Sequence, residues 1–180
     1  ARAHGITGFC YYHYWFTGRR VLERPVDGIV ASGQPDFPFC LCWANEPWSR
    51  SWLGEEREVL VAQTYSPADD RAHAEHLAGI FFDPRYLRAA GRPVLVVYRP
   101  LSLPDPMRTT AAIKEAARMR GLAEPYLIGA NTSSFPSDFR GRAMTDTPSH
   151  EASGRPSASS AALTCWRIAK RGSISTLEVT

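Results

Sequence analysis

No stretch of the 180 residues approaches the roughly 18 consecutive apolar positions that a membrane helix needs, so no membrane span is expected. No GxGxxG follows a strand-like run, which leaves a dinucleotide-binding fold without support. Ser-His-Asp patterning, a phosphate-cradling glycine loop and a DxD metal motif are also missing, so neither metal nor cofactor is expected. Charge is nearly balanced, with 21 Lys and Arg against 18 Asp and Glu. The resulting net charge of +3 is scattered rather than striped, which argues against nucleic acid as a partner. Cysteine is scarce: Cys10, Cys40, Cys42 and Cys165 show no CxxC spacing of a zinc site. They read as small apolar core residues kept as thiols, which suits a reducing, cytoplasmic compartment. The opening Ala-Arg-Ala-His-Gly has no Met and no charged-then-apolar leader pattern, so a chain cut in mid-protein is expected.

What is present is an ordinary globular balance, 44% hydrophobic and 22% charged, with an unusual weight of aromatics. Five Trp, seven Tyr and eight Phe occur, and Trp15, Trp43, Trp48 and Trp52 crowd the first third. Strand and helix signals alternate over residues 1–140. Residues 6–16 are rich in β-favouring aromatics, and 20–32 carry Leu22, Val26, Ile29 and Val30 at helical spacing with Pro25 in the first turn. Residues 37–43 form a short continuous apolar run, as in a strand buried on both faces. A polar loop bearing Trp residues is expected from Ala44 to about Glu58, and 59–62 add a short extended piece. Ser66 caps a second helix, opened by Pro67, with His73, His76, Leu77 and Ile80 along one face. Residues 93–98 make the clearest strand, and Asp105, Pro106 and Gly121 punctuate a third helix. Residues 126–130 supply the fourth strand.

This β-α-β-α-β-α-β order predicts an α/β fold with a parallel sheet and outer helices, doubly wound or a (β/α) barrel. Residues 141–180, rich in Ser, Thr, Ala and Pro without sustained periodicity, predict an irregular, disordered or non-native tail.

Parallel α/β folds bind ligands beyond the carboxyl ends of their strands. Those ends gather Tyr12, His13, Tyr14, Trp15, Trp43, Asn45, Glu46, Trp48, Trp52, Tyr98, Arg99 and the Asn131-Thr-Ser133 run. Flat rings beside amide and carboxylate groups suit a saccharide, because rings stack on C–H faces while polar groups bond hydroxyls. Glu46 is the candidate catalytic carboxylate, as a general acid or base. The alternative is a loop carboxylate paired with Arg50. If Tyr12 and Tyr14 face the interior, alternation turns His13 outward; in the opposite register His13 reaches the site. Arg99 suits an anionic sugar or a diphosphate. His73 and His76 form HxxH without a third ligand and read as packing residues. Asp69 and Asp70 sit at a helix start, where the dipole favours them.

Several segments together resemble one family. They are Gly5-Ile-Thr-Gly-Phe-Cys-Tyr-Tyr-His-Tyr-Trp-Phe16, Leu22-Glu-Arg-Pro25 and Asp36-Phe-Pro-Phe-Cys-Leu-Cys-Trp-Ala-Asn-Glu-Pro-Trp48. Val59-Leu-Val-Ala-Gln-Thr-Tyr65, Asp83-Pro-Arg-Tyr86, Gly91-Arg-Pro-Val-Leu-Val-Val-Tyr-Arg-Pro100 and Leu103-Pro-Asp-Pro106 continue the match. Over about residues 1–135 the chain resembles the WbsX-type glycosyltransferases, also described as glycoside hydrolase family 99-like. The resemblance implies a (β/α)8 TIM-type barrel from O-antigen (lipopolysaccharide) or other cell-surface polysaccharide gene clusters. Two departures accompany it. The family's Trp-Asn-Glu-Trp-x-Glu-Gly run, from which related hydrolases draw their catalytic carboxylates, does not occur. The stretch after Phe135 does not resemble the family, which a frameshift would explain.

The expected protein is therefore part of a carbohydrate-active enzyme, about four strands of a barrel over residues 1–140, acting on a saccharide or glycan. Transfer is the first reading; an endo-acting glycoside hydrolase and a catalytically inert sugar-binding product are the alternatives. With one carboxylate in view, no catalysis is expected of this chain alone, because glycoside hydrolysis by the usual route needs two.

Overall fold

The computed structural model describes residues 1–50, 55–130, 166–171 and 174–179, with side chains for 1–49 and 59–130. The Arg50 side chain, Trp52, the Asn131-Thr-Ser133 run, Cys165 and most of the expected tail lie outside the described residues.

The chain runs β1 (Phe9–Phe16), β2 (Arg19–Val21), α1 (Arg24–Ser32), β3 (Phe39–Trp43), β4 (Trp48–Arg50), β5 (Glu55–Val61) and α2 (Pro67–Ile80). It continues through β6 (Arg88–Ala89), β7 (Arg92–Val97), α3 (Pro106–Met119), β8 (Tyr126–Gly129), β9 (Trp166–Arg171) and β10 (Ile174–Val179). The result is a mixed α/β fold. Its centre is a parallel sheet in which β1 pairs with β3, β3 with β7 and β7 with β8. The four expected strands are thus parallel neighbours in chain order. Parallel neighbours need crossovers, and α1, α2 and α3 each lie in one.

Local chemistry accounts for the helix ends. Ser66 Oγ accepts from the Asp69 amide at 3.1 Å, and Pro67 fills the first turn. Asp105 Oδ1 accepts from the Arg108 amide at 3.0 Å, and Gly121, at φ 73°, takes the left-handed position that ends α3. Asp70, 4% exposed, then ties the two helices: it accepts from Arg108 Nε at 2.9 Å and Thr109 Oγ1 at 3.2 Å. The two acids at the start of α2 therefore have specific partners, beyond the dipole.

Three expectations need correction. The helix expected from Arg20 begins at Arg24, because Arg19–Val21 turn back as an antiparallel strand on β1. Thr17 and Gly18, both at positive φ, form the two-residue loop that such a hairpin favours. The segment expected as loop up to Glu58 contains the antiparallel pair β4–β5. Within the segment expected to be irregular, β9 and β10 pair antiparallel from Trp166↔Val179 to Arg171↔Ile174.

Leu41, Leu77, Leu95, Ile113 and Leu127, each 0–1% exposed, form the centre of the core between sheet and helices. Burial of each such side chain contributes about 1.5–3 kcal/mol. The Asp83-Pro-Arg-Tyr86 motif serves the same core. Arg85 grips Asp83 through Nε at 2.9 Å and Nη2 at 2.6 Å, and reaches the Ile29 carbonyl at the end of α1. Tyr86, buried against Phe39 and Phe81, accepts the Leu41 amide on its hydroxyl at 3.2 Å.

Candidate functional site

Strand alternation sorts the rim residues onto two faces. Register pairs Tyr12 with Cys42 and Cys42 with Val96, while His13 pairs with Trp43 and Trp43 with Val97. Partners in register share a face, so Tyr12 and His13 lie on opposite sides of the sheet.

On the Tyr12 face the rings meet in a chain of contacts, two of the three edge to face. Tyr12 and Tyr98 are 6.1 Å apart at 87°, Tyr12 and Tyr14 6.0 Å apart, and Tyr14 and Trp48 5.1 Å apart at 75°. All four are half-buried, so each keeps ring surface for a ligand. Glu46, just past β3, meets Arg99, just past β7: Arg99 Nε donates to Glu46 Oε2 at 2.5 Å. Glu46 is paired here with Arg99, not with Arg50 as the alternative reading had it. The Arg99 guanidinium also sits 5.7 Å from the Tyr98 ring centre. Burial pushes the Tyr14 hydroxyl up to about 12, with nearby Glu46 adding to the shift, and raises Tyr98 for the same reasons. Both phenols therefore stay protonated at neutral pH, able to donate a hydrogen bond. Below them, Cys10, Cys40 and Cys42 share this face as free buried thiols; contact with the other two sulfurs, then burial, raises Cys10 well above its ordinary value.

On the opposite face, His13, Trp15 and Trp43 are 6%, 6% and 1% exposed and pack against α2. The sequence placed all three among substrate-binding residues; alternation instead turns them away from Tyr12, Tyr14 and Tyr98. His13 Nε2 lies 3.0 Å from His73 Nε2, so one neutral imidazole donates to the other. Trp15 Nε1 donates to Asp69 Oδ1 at 2.9 Å, and Trp43 meets His73 edge to face at 4.5 Å. Burial lowers His13 to about 3 and His73 well below its ordinary value, with the neighbouring histidines adding to both. The same burial raises Asp69, against the opposing bond from Trp15. His13 also stacks on His73 and His76 at 19° and 22° between planes. Among the described residues, no group of three His, Cys, Asp or Glu is arranged to hold a metal ion. Nor is any described helix long and apolar enough to cross a membrane.

Asn45 belongs to neither face. It is fully buried and bonded through both side-chain atoms to the Arg99 backbone, so its amide is not offered to a ligand. Tyr65, which sequence reasoning did not place near the site, donates its hydroxyl to the Asn45 carbonyl at 3.0 Å. The signals that could have found it were its place at the end of the Val59–Tyr65 family motif and its position one residue before the Ser66 cap.

The profile of the glycosyltransferase WbsX family matches residues 1–173, past residue 135, where the resemblance was expected to end. Two relatives called uncharacterized protein WxcX, from Xanthomonas campestris pv. campestris strains B100 and ATCC 33913, are each 43% identical over 127 residues. The alignment covers 71% of this chain, which spans only 18% of the length of these relatives. No solved structure matches. Motifs and family profile agree: the chain belongs to the WbsX glycosyltransferase family.

Proposed function

We propose that the Tyr12–Tyr14–Trp48–Tyr98 face, with Glu46 and Arg99 at its rim, binds a saccharide for glycosyl transfer in O-antigen or other cell-surface polysaccharide synthesis. The observation that carries this reading is the meeting of half-buried aromatic rings with a carboxylate–guanidinium pair at the carboxyl ends of β1, β3 and β7. Rings of this kind stack on the C–H faces of a pyranose, and protonated phenols bond its hydroxyls. Glu46, 33% exposed on its side chain, is reachable by a sugar hydroxyl and is proposed as the acid/base group.

Two wider readings go with it. The four parallel strands in chain order, with helices in the crossovers, support an arc of a (β/α)8 barrel, whose ligands bind at this end. The three buried free thiols support a reducing, cytoplasmic setting.

Glu46→Gln in the intact protein keeps shape while removing charge and proton transfer. Turnover should fall about 10²-fold with glycan binding little changed, read by transfer assays and by binding to an array of bacterial surface glycans. Unchanged turnover and unchanged binding would take Glu46 out of the site.

A further inference from the structure

We infer that Asn45 is a positioning residue: it fastens the end of β3 to the end of β7 so that Glu46 and Arg99 meet as one unit. The inference rests on the saccharide reading for its purpose, but its geometry stands apart from it.

The backbone ladder between the two strands ends where the Tyr98 amide donates to the Trp43 carbonyl at 2.9 Å. Two residues on, the chain after β3 has left the sheet, and a side chain takes over. Asn45 Oδ1 accepts from the Arg99 amide at 2.7 Å, and Asn45 Nδ2 donates to the Arg99 carbonyl at 2.8 Å. A primary amide carries an acceptor oxygen and a donor nitrogen in one plane, which match the N–H and C=O of a single backbone residue. It thus acts as one more rung of the ladder. The Asn45 carbonyl in turn accepts from Tyr65, so the segment leading into α2 holds the same point.

The residues on either side of this rung are Glu46 and Arg99 themselves. Fixing Arg99 at both backbone groups, and Asn45 at both side-chain atoms, leaves little freedom between the two flanking side chains. Asp could accept from the Arg99 amide but would set a carboxylate oxygen against the Arg99 carbonyl. Gln would place the same amide one methylene too far. Among the common side chains only Asn presents this fork at this reach.

The test is hydrogen exchange at two Arg99 groups in the intact protein, its Nε–H and its backbone N–H, followed by nitrogen-15 NMR, with melting temperature recorded alongside. In the wild type both should be protected. Glu46→Ala, which removes the acceptor, should expose Nε–H while the backbone N–H stays protected, because its partner is Asn45. Asn45→Ala should speed exchange at both by about tenfold or more, and Tyr65→Phe should speed Nε–H exchange a few-fold. Nε–H protection unchanged in whichever of these two variants folds overturns the inference. If Nε–H protection is lost as expected while the wild type binds no member of the glycan array, positioning is supported and only the saccharide reading falls.

Discussion

The two faces of the β1–β3–β7 sheet both carry aromatic rings near the carboxyl ends of the strands and end in different chemistry. One offers Tyr12, Tyr14, Tyr98 and Trp48 half-buried around a partly exposed ion pair; the other packs His13, Trp15 and Trp43 against α2 with at most 6% exposure. Neighbouring positions along a single strand supply both. What separates them is the partner. Helix α2 brings His73 and Asp69 to bond the His13 imidazole and the Trp15 indole on one side, while the rings on the other side stay half-buried. Aromatic density at a rim is therefore not itself a site; half of it here is structural.

The contrast should be largest in stability. Trp43→Ala removes a ring that is 1% exposed and should cost about 3–5 kcal/mol in chemical denaturation. A loss near 1 kcal/mol would mean the α2 face is loosely packed and the contrast overstated.

Acid should act through the same buried face. His13, at about 3 when folded against 6.5 unfolded, stays neutral in the native chain while the unfolded chain takes up a proton. Its contribution is thus present above the unfolded value and lost as pH falls, by about 1.4 kcal/mol per unit towards pH 3. His73 shifts in the same direction, and the raised Asp69 works the opposite way. Between pH 7 and pH 5 the urea midpoint should drop, with about 2 kcal/mol lost through His13 alone. A flat profile over that range would show that water reaches the histidine pair.

Tyr98→Ala, on the open face, should cost only about 1 kcal/mol of stability. Its signature is instead weakened glycan binding, and normal binding by this variant would empty the open face of its proposed role. Smallest of all, Glu46→Gln should change stability by less than about 1 kcal/mol, since its pair with Arg99 is about one-third exposed and screened by solvent. A larger loss would move Glu46 from the ligand side of the comparison to the structural side.

Elements with local causes were legible in the sequence. Ser66 and Asp105 announced their helices by capping chemistry, and the apolar run ending at Trp43 announced a buried strand. The hairpin through Thr17 and Gly18 was missed because three polar-to-mixed residues, Arg19–Val21, carry no periodicity of their own. For the site, the choice between faces was posed correctly for His13 but not resolved, because alternation fixes relative orientation and only the position of α2 fixes which side is filled. The Glu46–Arg99 pair spans 53 positions, and sequence proximity pointed to Arg50 instead. The pair of hydrogen bonds from Asn45 to the Arg99 backbone had no sequence signal at all.

The thiol trio beneath the open face has a practical consequence. Cys10, Cys40 and Cys42 are at most 3% exposed, and Cys10 holds its proton well above the usual range. Alkylating reagents need both access and thiolate, and the native sheet denies them access at all three sulfurs. The rate at which these sulfurs become modified is therefore a stopwatch on excursions that part β1 from β3. Mass spectrometry of timed alkylation would read that clock without a denaturant, a dye or any knowledge of the sugar.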